Sequence, residues 1–121
     1  MAEATPILDS ETIEKLRSLN QPGKKDLVEE LAELFFKDSP ALIERTQSEI
    51  QQQSFEEVYK AVHRLKGSAL YLGGSELGGL CQKMMAAAKE EDLGSLQSMG
   101  PELQAAYQRL KAALEGQIGH S

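Results

Sequence analysis

The stretch SFEEVYKAVHRLKGSALYLGG, Ser54 to Gly74, decides the fold. Val58, Ala61, Val62, Leu65, Ala69 and Leu72 recur at three- and four-residue spacings, the period of a helix that buries one stripe. Ser54, with Glu57 three residues later, predicts a capped start, and the Gly73-Gly74 pair predicts a stop. On a wheel of about 100° per residue with His63 at zero, the apolar stripe centres roughly 200° away, so His63 faces outward. Within about 60° of it lie Tyr59, Lys60, Lys66, Gly67 and Leu70, with Glu56 up to two turns earlier on the same side.

Outward from this segment the same period continues. Asp9 or Ser10 is the expected N-cap of a short first helix through Ile13 and Leu16 to about Leu19, where Asn20-Gln21-Pro22-Gly23 breaks it. A second run from about Lys24 to Gln53 carries Leu27, Leu31, Leu34, Phe35, Leu42, Ile43 and Ile50, and Pro40 within it means either a kink or two helices. Ser75 is the expected cap of a fourth helix through Leu77, Leu80, Cys81, Met84 and Met85 to about Glu91. Gly94-Ser95 then separates a last helix bearing Leu96, Met99, Leu103, Tyr107, Leu110 and Leu114, with Gly100-Pro101 a candidate break and Gly116 to Ser121 a frayed tail. No window alternates apolar and polar residues as a strand does. The fold class is therefore all-α, an up-and-down antiparallel four-helix bundle with an additional short N-terminal helix, in one domain over residues 1–121 with an ordered core of about 8–115.

Composition narrows the function. A net charge of −6 over 121 residues argues against a nucleic-acid or anionic-membrane partner, because both select a basic surface, and points to proteins. One cysteine, Cys81, cannot form an internal disulfide, and no stretch suits an export signal or membrane span, so a cytoplasmic location is expected. Cys81 shares a stripe with Leu77, Leu80 and Met84 and reads as core, as do Met84 and Met85. His63, Cys81 and His120 are not at metal-ligand spacing, and the acidic runs Glu29-Glu30-Glu33 and Glu90-Glu91-Asp92 read as solvated helix faces and ends. Without strands there is no strand-to-helix phosphate loop, so the chain is not expected to use ATP on its own.

An exposed histidine on a polar face is most simply a solvated residue; the neighbours of His63 argue for more. Gly67 costs roughly 0.5–1 kcal/mol relative to alanine inside a helix, and its missing side chain clears the surface beside the imidazole. Lys66, about a turn away, can bring an ammonium to an anion on the His63 ring, while Leu70 and Tyr59 add apolar area. An imidazole of ordinary pKa is mostly neutral at pH 7 and keeps a lone pair free to attack phosphorus. The labile N–P bond that results suits a relay carrier.

The run His63-Arg64-Leu65-Lys66-Gly67-Ser68, followed by Leu72-Gly73, Leu77 and Cys81, resembles the signature of histidine-containing phosphotransfer (HPt) domains of two-component phosphorelays. LDSETIEKLRSL, LAELFFKDSPALIERTQSEI and the EEDLGSL connection are similar to that family as well, so the resemblance spans nearly the whole chain. It implies that His63 accepts a phosphoryl group, on the ring nitrogen far from the backbone, from an aspartyl phosphate of a receiver domain and passes it to another receiver. Lys66 would offset phosphoryl charge and Gly67 would admit the receiver's loops, with Tyr59, Arg64, Leu70 and Gln82 as candidate partner-binding residues. Expected partners are receiver domains of response regulators or hybrid histidine kinases, with the chain a monomer, freestanding or part of a larger protein. No cofactor or metal is expected on this chain, Mg²⁺ belonging to the receiver. The sequence departs from the family at Met85, where many members carry Gln or Glu near the histidine, so either Gln82 or Glu56 orients the ring or nothing does. Gly78-Gly79 inside the fourth helix is a second departure, with no functional account from sequence. The alternative reading is a helical adaptor that binds a receiver or kinase through the same patch without being phosphorylated.

Overall fold

The computed structural model describes residues 5–118. Five helices follow one another: α1 (Ser10–Arg17), α2 (Leu27–Gln51), α3 (Phe55–Tyr71), α4 (Ser75–Lys89) and α5 (Leu93–Ile118). Cross-links between neighbours fix their directions. Arg45 late in α2 meets Glu57 early in α3 at 2.6 Å, and Arg109 late in α5 meets Glu76 early in α4 at 2.9 Å. The Phe35 and Tyr107 rings stack tilted, 5.6 Å apart, bringing the first half of α2 against the second half of α5. Helices α2 to α5 thus run up and down around a single core, and α1 packs on α2 as the extra helix. That core runs from Ile13 and Leu16 of α1 through Val28, Ile43, Leu65, Leu77, Met84, Leu103 and Leu114.

The helix ends show where local sequence prevailed and where packing did. Asp9 caps α1 by accepting from Glu11 N–H and the Thr12 hydroxyl, and its own N–H donates to Gly73 O at 2.7 Å, docking α1 on the α3–α4 turn. Helix α2 starts at Leu27, not Lys24, because Asp26 caps it, accepting from Val28 N–H. Helices α2, α3 and α4 all end in a Schellman motif: the N–H two residues past the cap bonds back into the last turn, as Ser54 to Glu49, Gly74 to Ala69 and Asp92 to Ala87. Only α3 supplies glycine for the left-handed position, Gly73 at φ +82; Gln53 and Glu91 occupy it in the other two, at φ 56 and 53.

These motifs overturn several expectations. The Ser54 N–H is already spent on Glu49, so no capping box forms; Ser54 stands at the N-cap without a side-chain bond, and Glu57 turns to Arg45 and Lys60 instead. Gly74, not Ser75, caps α4, because the α3 motif draws its N–H onto Ala69. Gly94-Ser95 lies inside α5, since Asp92 accepts from both the N–H and the hydroxyl of Ser95 and starts the helix there. Neither Pro40 nor Pro101 splits its helix. Each lacks the N–H of one helical bond, yet Phe35, Ser39 and Ile43 around Pro40, and Gly100 and Leu103 around Pro101, are buried, so packing holds the axis. Gly116 to Ile118 are helical rather than frayed because the Arg17 guanidinium donates to both the Gln117 carbonyl and its side chain. The rest of the predicted tail, with His120, lies outside the described residues.

Candidate functional site

The site is built on α3, which packs closely against α4. Gly78 makes that approach: a Cβ there would stand 2.4 Å from the Leu70 side chain, so the glycine receives Leu70 and locks the two helices in register. Adjacent Gly79 faces open space. Val62, Leu65 and Ala69 hold the inner face of α3, with Leu77, Cys81 and Met84 opposite on α4, all essentially without exposure. A rigid, fully packed helix therefore presents the other face.

On that face His63 is exposed, as are Arg64, Gly67 and Ser68. Among the described residues no side chain hydrogen-bonds the His63 ring. Its aromatic neighbour among the described residues is Tyr59, a turn earlier and half-buried, whose ring lies parallel to the imidazole at a centroid distance of 6.0 Å and an interplanar angle of 7°. Lys89 of α4 places its ammonium 5.6 Å from the Tyr59 ring centre, a cation–π contact that ties Tyr59 across the helix pair. Sequence reading did not single out Lys89, because its link to α3 is purely tertiary.

Gly67 has no heavy atom within 4 Å of where a Cβ would project, so the surface beside His63 is bare. The space continues into a groove of about 410 Å³ between α2 and α3, lined by Leu31, Leu34, Phe35, Asp38 and Ser39 on one side and Gly67, Ser68, Tyr71 and Leu72 on the other. Leu34 and Tyr71 are 52% and 60% exposed, so this wall is open and largely apolar, although it includes the buried Ser39 hydroxyl, which has no hydrogen-bond partner among the described residues. Leu70, 43% exposed, continues the patch toward α4.

Lys66 is half-buried, and its Nζ donates to Gln82 Oε1 at 2.5 Å across the α3–α4 interface. Gln82 is thus engaged with the lysine rather than with the imidazole, and Glu56 pairs with Lys60 at 3.4 Å. Met85 is buried with an apolar thioether. Ring orientation consequently comes from neither of the two polar candidates. Cys81 is buried, and burial pushes its thiol up to about 12, with the Lys66 charge pulling the other way; it is core, not a nucleophile. Among the described residues no three His, Cys, Asp or Glu side chains gather to hold a metal ion, and no helix is long and apolar enough to cross a membrane.

Known proteins are similar to this chain in sequence and in fold. The sequence model of the Hpt domain matches residues 30–113, which includes α3, α4 and most of α2 and α5. Histidine-containing phosphotransfer protein 1 of Arabidopsis thaliana is 26% identical over 111 residues, 90% of this chain and 71% of the relative. Among solved structures, histidine-containing phosphotransfer protein B of Pseudomonas aeruginosa superposes with a TM-score of 0.83 at 16% identity, covering 93% of this chain and 95% of its own. A histidine-containing phosphotransfer protein of Medicago truncatula superposes at 0.76 with 23% identity, covering 95% and 85%. At those identities the structural likeness establishes the bundle fold.

Proposed function

The chain belongs to the Hpt domain family of phosphorelay carriers in two-component signalling, and we propose that its acceptor is His63, taking a phosphoryl group from the aspartyl phosphate of one receiver domain and giving it to another. The observation that carries this reading is the exposed imidazole on a rigid helix with bare backbone at Gly67 beside it.

In the transfer, the lone pair of the His63 ring nitrogen far from the backbone forms the N–P bond as the aspartyl O–P bond breaks, and the carboxylate leaves with that electron pair. The proton on the other ring nitrogen stays in place during the step. Such a loose, in-line displacement asks for alignment and charge neutralisation rather than covalent help. A packed α3 supplies the alignment. Lys66, once it exchanges Gln82 for a phosphoryl oxygen, supplies charge from this side, and the receiver with its Mg²⁺ supplies it from the other. Gly67 and the largely apolar groove beyond it, with Tyr71 in its wall, admit the receiver, and the exposed Arg64 and Leu70 of α3 add to the docking face. The chain acts as a monomeric intermediate, without an ATP site or cofactor of its own, in a reducing, cytoplasmic setting.

The test is incubation with a phosphorylated receiver and Mg²⁺. An acid-labile label that His63→Gln abolishes supports the carrier; unchanged labelling in His63→Gln overturns it, and receiver binding without any label favours a pure adaptor.

A further inference from the structure

We propose that Tyr59 is the positioning residue of His63, holding the imidazole by a parallel stack where no side chain hydrogen-bonds it. The inference rests on His63 being the phosphoryl acceptor.

Histidine χ2 is a broad torsion, so an exposed imidazole without a hydrogen bond sweeps a wide arc and presents its nitrogens in many directions. Both polar candidates for restraining it are engaged elsewhere, Gln82 by Lys66 and Glu56 by Lys60, and the side chain at position 85 is a buried thioether. Beside the ring lies Tyr59, 6.0 Å away centre to centre and only 7° from parallel, an offset stack of the kind aromatic pairs favour. Tyr59 can serve as a stop because it is itself held: it is half-buried, and Lys89 sits over its ring at 5.6 Å. A ring set parallel beside the imidazole and offset from it leaves the imidazole edge free. Both nitrogens lie in that edge, so the restraint fixes the ring plane without occupying the lone pair that forms the N–P bond. A hydrogen bond to one nitrogen would also fix the tautomer; a stack does not.

Tyr59→Leu removes the stack while keeping apolar bulk, and Tyr59→Phe keeps the ring. Single-turnover transfer from a phosphorylated receiver, titrated to saturation, separates positioning from docking. For Tyr59→Leu the maximal rate is expected to fall about tenfold with half-saturation unchanged, as for a misaligned nucleophile, and Tyr59→Phe should restore it. The His63 ring-proton resonances provide a second readout: they should lose their ring-current displacement in Tyr59→Leu and retain it in Tyr59→Phe. An undiminished maximal rate in Tyr59→Leu, a change confined to half-saturation, or unmoved ring protons overturns the positioning role while leaving His63 as acceptor. A parent protein that takes no label, or whose label survives His63→Gln, overturns the acceptor reading and this inference together.

Discussion

Lys66 and Gln82 are joined across the α3–α4 interface, the lysine Nζ donating to the amide oxygen at 2.5 Å. The cation proposed to meet the phosphoryl group on His63 is therefore parked on the neighbouring helix rather than over the imidazole. A phosphoryl oxygen is a stronger, charged acceptor than a carboxamide, so arrival of the group should draw the ammonium across.

Lys66→Ala is expected to slow transfer to His63 about tenfold, the worth of one hydrogen bond to a charged group, with little change in thermal stability. Gln82→Ala should leave the rate at or above the parent's, because it releases the lysine. Single-turnover kinetics on the three proteins check this; equal rates for Lys66→Ala and the parent would remove the lysine from the account.

Gly67 has open space where its Cβ would be. Gly67→Gln should therefore keep the fold, and higher helix propensity should raise stability by about 0.5–1 kcal/mol. Receiver affinity should drop at least about tenfold, since the new side chain fills the bare surface between His63 and the groove. A melt paired with a binding titration reads both; parental affinity would show that the partner does not approach there.

The left-handed residues at the helix ends divide by stability. At Gly73 a side chain meets both a positive φ and the Asp9 carbonyl at 2.9 Å, so Gly73→Ala should destabilise by about 2 kcal/mol or more. Glu91 already bears the cost of φ 53, and Glu91→Gly should stabilise by about 1 kcal/mol. Urea unfolding of both variants checks the opposite signs.

Cys81 couples stability to alkaline pH. Its thiol ionises near 9.0 when ordinary and only near about 12 in the fold, held up by burial. The folded value is the higher one, so the unfolded chain gives up its proton first. Stability should be unaffected below about pH 9 and should fall between there and about pH 12, by up to about 1.4 kcal/mol per unit. Cys81→Ala loses packing at every pH but lacks this slope, so its deficit relative to the parent should narrow between about pH 8 and about pH 10. A constant deficit would contradict the buried, protonated thiol.

Much of the bundle was legible because apolar periodicity and tertiary packing agree: the stripe Val58, Ala61, Val62, Leu65, Ala69 and Leu72 is buried and His63 is outside, as the wheel placed them. What failed is where local chemistry and packing compete. Ser54-x-x-Glu57 has the pattern of a capping box, but the preceding helix claims the Ser54 N–H first. Pro40 and Pro101 each remove one backbone bond, and burial around them outweighs it. His63, Lys66 and Gly67 share a short segment and a face, so their common placement was readable from spacing. The Lys66–Gln82 bond and the Lys89–Tyr59 contact join residues of different helices. Local periodicity carries no record of such pairs, and Gly78 acquires a meaning only when Leu70 is seen resting on it.

The most direct measurement of the central claim is a proton–phosphorus correlation spectrum of the protein after transfer from a phosphorylated receiver. The imidazole nitrogen far from the backbone lies between two C–H groups, whereas the nearer one adjoins only one. The account expects a single phosphorus resonance correlated with both ring protons of one imidazole, absent in His63→Gln. A resonance correlated with only one ring proton, or one that persists in His63→Gln, would contradict it.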